Sequence, residues 1–272
     1  MLLLSAALAA SGAATSAEVY RWSGDDGTVH FSDQPHRKAE RMVLGPSHWY
    51  VVKRVLDGDT FVLSGGDKVR LIGLNAPELA HRGEPSEPGS EEATDYLRRL
   101  VEGTRVRLDY GPQRRDRYGR RLAHVSTEEG IDVNARLLRR GLAHAVVLPP
   151  DDTRAVTYFG AEAEARHAQR GIWSGPRLRI QPASEARRFR NTYRRLRGRI
   201  ARTSVKRKYT YLRFDHGLVA RLANTDRRRF IKAGRSPDEF AGKTLVVRGW
   251  VGQRNHHPFV RLRHPLQIEK VE

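Results

Sequence analysis

Short apolar segments separated by turn residues occupy the middle of this 272-residue chain. Alternating β-branched, aromatic and polar residues predict strands, and the Gly- and Asp-containing residues 64–67 predict a tight turn between two of them. The predicted strands cover residues 50–56, 60–63, 68–74, 105–110 and 122–126. Five short strands with helices appended are typical of an OB-type barrel. The sequence therefore predicts a β-rich α+β fold built on a five-stranded barrel.

Helical signals follow the third predicted strand and the fifth. The predicted helices cover residues 90–100, 133–140 and 153–169. Ser90 is the expected N-cap of the first helix, whose opening turn is acidic. The other two are expected to stop at Gly141 and Gly171. About three helices are therefore expected around the barrel, and together they would form a domain over residues 49–175.

Arginine and lysine are concentrated in the last third of the chain. Residues 177–272 contain 26 Lys and Arg against 7 Asp and Glu, whereas residues 1–176 contain 24 of each, so the net charge of +19 lies entirely in this part. A solvated surface is the simplest interpretation of a charged run, but a segment this basic repels itself unless a polyanion neutralises it. The charge favours a nucleic acid, DNA or RNA, as the partner.

The basic part of the chain also contains strand signals. Residues 176–195 combine many arginines with few apolar neighbours and are predicted to be a linker. Predicted strands follow at residues 196–201, 210–214, 218–222, 244–250 and 258–262. They predict a second, smaller β-rich domain over residues 196–270, for which an OB-like barrel is one candidate form.

The chain begins with an apolar run followed by small residues up to Ala17. This pattern is typical of a secretory signal peptide over residues 1–17 with cleavage after Ala17, and a short buried helix is the alternative. The run is too short to span a membrane, and no other segment is long enough. The chain has no cysteine, which excludes disulfides and thiolate metal sites. We therefore expect an exported protein, periplasmic or secreted, without stable membrane insertion.

Residues 18–45 are predicted to form a small separate module. Aromatic and β-branched residues flank Asp25, Asp26 and Gly27, which predicts a β-hairpin. The pattern Tyr-x-Trp…Gly-x-x-x-Phe-Ser-Asp-x-Pro resembles a module found after the signal peptide in many exported bacterial proteins. That module has no established activity, so it indicates a location and not a reaction.

Two carboxylates and two arginines are spread through the predicted barrel. The Asp59 carboxylate can bind a hard cation such as calcium, and Glu78 can accept a proton from water. Arg70 and Arg120 can each grip phosphate oxygens through two parallel N–H bonds, and Tyr118 adds a hydroxyl nearby. Each residue alone is more often part of a turn or a surface charge. Together they predict a metal-assisted phosphodiesterase.

The order of these residues resembles the staphylococcal nuclease, or thermonuclease, family. The motifs Asp-Gly-Asp-Thr, Arg-Leu-x-Gly-x-x-Ala-Pro-Glu and Asp-Arg-Tyr-Gly-Arg-x-Leu-Ala stand at residues 57–60, 70–78 and 116–123. The resemblance covers residues 50–175 and implies an OB barrel with calcium-dependent endonuclease action on DNA and RNA. It also implies products with 5′-hydroxyl and 3′-phosphate ends.

The resemblance implies a role for each of the singled-out residues. Asp59 would be a ligand of one calcium ion, and Glu78 would be the general base. Arg70 and Arg120 would stabilise the charge of the transition state. Tyr118 would help to bind the phosphate.

Two features depart from the family pattern. The second calcium carboxylate of the family falls on Asn75, and a backbone carbonyl ligand falls on Ala76. Asparagine keeps an oxygen donor but removes a negative charge, so calcium should bind more weakly. The tyrosine pair that flanks the bound nucleotide is absent, and Val147 and Pro149 stand roughly in its place. We therefore expect weaker base stacking and more dependence on the basic part of the chain.

Two other functions fit parts of the sequence. A non-catalytic nucleic-acid-binding protein would keep the barrel while the change at Asn75 ends turnover, although the retained carboxylates and arginines argue against this. Binding of acidic cell-surface polymers through residues 177–272 is the other alternative. Adjacent His256 and His257 favour a phosphate contact or plain surface over a metal site. No Ser/His/Asp arrangement or phosphate-binding glycine loop is convincing.

Overall fold

The computed structural model describes residues 18–23, 29–32, 34, 37, 39–43, 48–80, 83 and 85–272. The chain divides into two compact units, Met1–Trp49 and Tyr50–Glu272. The signal peptide predicted over residues 1–17 lies outside the described residues. In the part of the chain that is described, no helix is both long enough and apolar enough to cross a membrane.

The first unit contains a small antiparallel sheet. Its strands are β1 (Glu18–Ser23), β2 (Val29–Ser32) and β3 (Glu40–Val43), in the order β2-β1-β3. Tyr20 lies opposite Ser32 and Trp22 lies opposite His30, so the predicted pairing of the two hairpin strands is confirmed. The predicted turn at residues 25–27 is outside the described residues. The third strand was not predicted, and the domain limits 18–45 stay a prediction.

A closed five-stranded barrel opens the second unit, and we call it the first barrel. Its strands and an adjoining ribbon are β4 (Trp49–Asp57), β5 (Thr60–Leu63), β6 (Lys68–Leu71), β7 (Leu74–Asn75), β8 (Arg105–Arg115), β9 (Arg121–Thr127) and β10 (His144–Ala145). The barrel order is β4-β5-β6-β9-β8, with β6 and β9 parallel, while β7 pairs with β10. Phe61, Val69 and Val125 belong to its core and are fully buried. The predicted barrel is confirmed.

Three helices contribute to the same core, close to where the sequence predicts them. They are α1 (Ser90–Val101), α2 (Val133–Arg139) and α3 (Ala155–His167). Ala93, Leu97 and Val101 recur every four residues of α1 and are fully buried, which is the apolar stripe of a packed helix. The predicted N-cap is wrong: Gly89 is the cap, with φ 88°, and Ser90 is the first helical residue.

The C-terminal ends of α2 and α3 meet at two glycines. Gly141 and Gly171 have φ angles of 73° and 52°, and the Gly141 carbonyl accepts a hydrogen bond from the Ile172 N–H at 2.9 Å. A Cβ on Gly141 would lie 2.2 Å from the Arg170 carbonyl oxygen, and one on Gly171 would lie 2.3 Å from the Gly141 oxygen. Neither position accepts a side chain, so glycine is required at both. The two glycines therefore predicted the ends of α2 and α3 correctly.

A second ring of strands follows, and we call it the second barrel. Its strands are β11 (Ile180–Pro182), β12 (Tyr193–Val205), β13 (Tyr209–Phe214), β14 (Val219–Ala223), β15 (Thr244–Arg254), β16 (His257–Leu262) and β17 (Ile268–Val271). The pairings run β12-β13-β14-β16-β15, and β15 pairs back to β12. A short helix, α4 (Arg227–Lys232), connects β14 to β15. The predicted β-rich region in the last third of the chain is confirmed.

Both barrels use the same strand order. If the five ring strands of each are numbered along the chain, both close in the order 1-2-3-5-4, and the third and fifth strands are parallel in both. A helix lies between the third and fourth strands in each barrel. The architecture is therefore repeated, although the sequence shows no repeat.

The residues predicted as a linker are part of the packed structure. Residues 176–195 contain β11 and a 3₁₀ helix, Ala183–Phe189, and Leu178 and Ala186 are buried. The few apolar residues of this segment are isolated among arginines, so no periodic pattern in the sequence indicated that they are buried. The short α4 was missed for the same reason, because Phe230 is its one buried residue among consecutive arginines. The domain limits drawn around the linker stay a prediction.

A buried ion pair joins the two barrels. Arg248 of β15 and Glu162 of α3 each have side chains that are 1% exposed, and two parallel N–H···O bonds of 2.6 Å connect them. Arg248 Nε donates to the Tyr193 hydroxyl at 2.6 Å, and the Ala145 N–H donates to Glu162 at 2.6 Å. Burial lowers the pKa of Arg248, but Glu162 outweighs it and holds the pKa well above its usual value. The arginine is therefore charged.

We expect Arg248→Met to lower the free energy of unfolding by about 3–5 kcal/mol, because it removes both hydrogen bonds that Arg248 donates to buried Glu162 and leaves Arg166, at 3.6 Å, as the remaining counter-ion. Arg139→Ala is the control, because Arg139 of α2 forms an ion pair of 3.0 Å with Glu164 of α3 that is exposed to solvent. That control should cost less than about 1 kcal/mol. Urea unfolding monitored by circular dichroism measures both, and equal losses would contradict the role assigned to the buried pair.

Candidate active site

The Asp-Gly-Asp turn between β4 and β5 forms the base of the site. A Cβ on Gly58 would lie 2.7 Å from the Cβ atoms of both Ala76 and Ala93, so glycine allows this turn to lie against β7 and α1. Asp57 accepts a hydrogen bond from the Asp59 N–H at 3.0 Å, which fixes the turn. The sequence motif therefore reflects a close approach of three segments as well as chemistry.

Asp59 is a buried carboxylate with three partners. Its Oδ2 lies 2.8 Å from an Arg70 terminal nitrogen and accepts the Ala76 N–H at 2.9 Å, while Oδ1 accepts the Thr60 hydroxyl at 3.1 Å. Burial raises the pKa of Asp59 to about 7, against the opposing effect of Arg70. One guanidinium therefore does not fully compensate the charge of this carboxylate.

Asn75 and Ala76 lie beside Asp59, and Arg70 connects them. The Asn75 side-chain oxygen accepts an Arg70 N–H at 3.0 Å, and the Asn75 amide donates to the Ala76 carbonyl at 3.0 Å. The other Arg70 terminal nitrogen donates to the carbonyls of Leu71 at 2.9 Å and Leu74 at 3.2 Å. The three predicted metal ligands are thus brought together, and their oxygens already have protein partners.

Glu78 lies at the mouth of the same cluster. Its backbone is held by Glu87, whose side chain accepts the Glu78 N–H at 3.1 Å and whose N–H donates to the Glu78 carbonyl at 2.8 Å. Partial burial of the carboxyl group and the nearby charge of Asp57 raise the pKa of Glu78, while Arg70 and Arg120 oppose the rise. Glu78 is therefore within electrostatic reach of both predicted arginines.

A tight turn presents Arg120 and Tyr118. Asp116 accepts the backbone N–H groups of both residues, at 2.9 Å from Tyr118 and 3.0 Å from Arg120, and also accepts Arg120 Nε at 2.8 Å. The guanidinium of Arg120 lies 5.6 Å from the centre of the Tyr118 ring. The Tyr118 side chain is 68% exposed and its hydroxyl accepts an Arg117 N–H at 2.6 Å. Both residues are therefore available to a ligand.

The donor chemistry fits a hard divalent cation. Asp59, Asn75 and Ala76 would offer a carboxylate, an amide oxygen and a backbone carbonyl, which are the oxygen types that calcium prefers. The raised pKa of Asp59 marks a carboxylate that a further positive charge would stabilise in its ionised form. Within the described residues, no cluster of three or more His, Asp or Glu side chains surrounds a common metal position.

Comparisons with known proteins identify the family. The family described as "Staphylococcal nuclease homologue" matches residues 68–175. A thermonuclease of Staphylococcus intermedius is 38% identical over 144 residues, which are 52% of this chain and 84% of that protein. A thermonuclease of Staphylococcus hyicus is 35% identical over 128 residues, 46% of this chain and 75% of that protein. The chain belongs to the staphylococcal nuclease family.

The predicted family is thus confirmed, and the protein is a nuclease of the hydrolase class. Endonuclease YhcR of Bacillus subtilis is 33% identical over 138 residues, 46% of this chain but 11% of that larger protein. A domain of unknown function, DUF4124, matches residues 4–47. The nuclease match ends at residue 175, so the second barrel lies beyond it.

Sequence reasoning missed residues that border the site. Glu87, which holds the Glu78 backbone, also accepts a hydrogen bond from Arg177 of the basic segment. Both residues line a cavity of about 310 Å³ together with Ala76 and His144. Glu87 and Arg177 are 90 positions apart, so no local pattern could indicate the contact.

His144 links the site to the second barrel. It lies opposite Asn75 in the β7–β10 ribbon, and its ring centre is 4.1 Å from that of Tyr193. Burial lowers the pKa of His144 well below its usual value, and the charge of Arg248 adds to this, so the ring is neutral. The strand that pairs with Asn75, β10, is therefore packed against Tyr193 of the second barrel.

Apolar residues stand where the tyrosine pair is missing. Val147 is buried, and the adjacent Leu148 is 56% exposed. Leu148 borders a groove of about 380 Å³ that is also lined by Phe159 of α3 and by Phe259 and Arg261 of the second barrel. Aromatic surface near this part of the nuclease is therefore supplied by both α3 and the second barrel.

We expect Asn75→Asp to tighten the binding of a divalent cation by about tenfold, because it adds a second carboxylate to the predicted oxygen ligands. Asn191→Asp adds the same charge at an exposed position of the other barrel and should leave cation affinity unchanged. The increase in melting temperature on adding calcium measures affinity without catalysis. Equal responses of the two variants would contradict a cation position beside Asn75.

Proposed function

We propose that this protein is an exported, calcium-dependent endonuclease that hydrolyses phosphodiester bonds in DNA and RNA. The observation that carries the proposal is the hydrogen-bonded cluster of Asp59, Arg70 and Asn75, beside which the charges of Arg70 and Arg120 act on Glu78. Nuclease chemistry follows from the family. The relatives named thermonuclease and endonuclease support nucleic acid as the substrate.

Glu78 is the proposed general base. Its side chain reaches solvent, and its carboxylate accepts no hydrogen bond from any described residue. A carboxylate with a raised pKa binds a proton more firmly than an ordinary one, which suits a group that takes a proton from water. As the water oxygen forms its bond to phosphorus, Glu78 accepts the released proton.

The two arginines differ in how ready they are to bind phosphate. Arg120 uses Nε to bind Asp116, and its two terminal nitrogens make no hydrogen bond or ion pair with the described residues. Both terminal nitrogens of Arg70 contact protein oxygens, including those of Asp59 and Asn75. Arg120 is therefore poised to bind two phosphate oxygens, whereas Arg70 must first exchange partners.

A bound calcium ion would supply positive charge to the phosphate and an alternative partner for the oxygens of Asp59 and Asn75. Arg70 would then turn its terminal nitrogens toward the negative charge that develops on the phosphate oxygens. The bond between phosphorus and the 5′ oxygen breaks, and that oxygen takes up a proton. The expected products carry 5′-hydroxyl and 3′-phosphate ends.

Export is the remaining part of the proposal. The apolar residues 1–17 support it without identifying the compartment. Expression of the whole chain in a bacterial host should yield a mature protein that begins at Glu18. Mass spectrometry of the periplasmic and secreted fractions tests this, and an unprocessed protein confined to the cytoplasm would contradict it.

We expect Glu78→Gln to reduce kcat on plasmid DNA by about 10²- to 10⁴-fold, because the amide cannot accept the proton. The control is Glu91→Gln, an exposed residue in the first turn of α1, which should keep the wild-type rate. Initial rates at saturating calcium measure the effect. A Glu78→Gln protein as fast as the control would exclude Glu78 as the base.

Arg120→Lys should reduce kcat by about 10²- to 10³-fold, since lysine cannot bind two phosphate oxygens in the same plane. Arg117→Lys is the matched control, because Arg117 lies on the same turn with its guanidinium 4.7 Å from the centre of the Tyr118 ring. Its rate should stay within about threefold of wild type. If Arg120→Lys kept the wild-type rate, the turn would act through its net charge and not through one planar guanidinium. Equal losses in both variants would mean that Arg120 has no role distinct from that of Arg117.

A further inference from the structure

The outer face of the second barrel has an ordered arrangement of aromatic and arginine side chains. Residues on β13, β14 and β16 alternate between buried positions and positions that reach the surface. The surface positions are Tyr209, Tyr211, Arg213, Val219, Arg221, Ala223, His257, Phe259 and Arg261. We call these nine residues the β13–β14–β16 face. They include three Tyr or Phe rings, one histidine, three arginines and no acidic residue.

Strand register places these side chains in rows across the sheet. Tyr211 lies opposite Arg221, which lies opposite Arg261. The next row contains Arg213, Val219 and Phe259. Neighbouring strands are about 4.8 Å apart and residues on one side repeat every ~6.6 Å, so the face measures about 10 Å by 13 Å. That is enough surface for a few nucleotides of an extended strand.

Guanidinium groups lie against the rings of this face, and a glycine makes room for one of the rings. Arg221 lies 4.6 Å from the ring centre of Tyr209 and 5.1 Å from that of Phe259, and Arg213 lies 5.8 Å from that of Tyr211. A Cβ on Gly252 would lie 2.5 Å from the Phe259 ring, so glycine allows the ring to rest on β15. Stacked arginines fix the rings while keeping their N–H groups available.

The arginines of this face have no acidic partner. Arg213, Arg221 and Arg261 take part in none of the ion pairs found among the described residues. Other arginines of the same barrel do, since Arg195 binds Glu269 at 2.6 Å. These guanidinium groups could bind phosphates while the half-buried rings beside them stack on bases.

Two hollows give this face depth. One, of about 390 Å³, is bordered by Tyr211, Arg221 and Phe259 among others, and the other, of about 280 Å³, is bordered by Tyr209, Arg221 and Arg261. Arg221 borders both, so they adjoin. The groove between the barrels also reaches Phe259 and Arg261, and its other wall includes Leu148. The face is therefore continuous with the nuclease barrel.

We propose that the β13–β14–β16 face binds single-stranded nucleic acid, with bases stacked on Tyr209, Tyr211 and Phe259 and phosphates held by the arginines. A duplex keeps its bases stacked internally and cannot offer their faces to these rings, so a single strand is the favoured ligand. The face lies outside the residues that match the nuclease family. The inference therefore concerns a binding site separate from the proposed catalytic centre, and it holds whether or not the assigned mechanism is correct.

Binding is tested with the full chain in EDTA, using fluorescence anisotropy of a short labelled oligothymidylate at several salt concentrations. The variant Tyr211→Leu/Phe259→Leu keeps apolar volume but removes the stacking surfaces. It should weaken binding by about 10- to 100-fold at every salt concentration, without changing the slope of log affinity against log salt. Unchanged affinity with a native circular dichroism spectrum would overturn the proposal.

Arg221→Gln should weaken binding and reduce the salt slope by about one, as expected for a phosphate contact. Arg187→Gln is the charge-matched control, since Arg187 is exposed on the 3₁₀ helix Ala183–Phe189. It should leave the slope unchanged. If Arg187→Gln were as damaging as Arg221→Gln, binding would be diffuse attraction to a basic surface, and the assigned site would be wrong.

Two further ligands complete the test. Oligouridylate in place of oligothymidylate distinguishes RNA from DNA, and binding of either strand in a manner that depends on Tyr211 and Phe259 supports the proposal. An equally long duplex should bind more weakly than the single strand. Binding of neither single strand at moderate salt, or a preference for the duplex, would overturn it.

Discussion

The buried ion pair between Arg248 and Glu162 is the constraint on which the arrangement of this nuclease depends. Each charge is almost completely removed from water and is compensated mainly by the other, with Arg166 at 3.6 Å from Glu162 and Glu269 at 3.4 Å from Arg248 as more distant partners. The same pair bonds to the backbone of Ala145, in the strand that pairs with β7. The second barrel therefore supports the part of the first barrel that carries Asn75, and it is more than an attached binding module.

Local sequence signals were sufficient to predict the first barrel and to indicate which of its residues form the candidate site. Gly58 is required by a close approach, and Gly141 and Gly171 by backbone conformation, so each marks a real turn or helix end. The Asp59, Arg70 and Glu78 motifs are short and lie next to one another in the folded chain.

Contacts between distant residues could not be predicted. Glu162 and Arg248 are 86 positions apart, and Glu87 and Arg177 are 90 apart, so no period or motif relates them. Arg248 is one basic residue among many in the last third of the chain, and its burial has no sequence signature. The same abundance of arginine made residues 176–195 resemble a linker, although that segment supplies buried Leu178 and Ala186.

The two barrels share a strand order but differ in charge at one equivalent corner. Between its first and second strands, the first barrel carries Asp57 and Asp59, and the second barrel carries Lys206, Arg207 and Lys208. The same loop position is thus acidic in one copy of the architecture and basic in the other. A few substitutions at one loop are enough to reverse the sign of its charge, and they leave the strand order of the barrel unchanged.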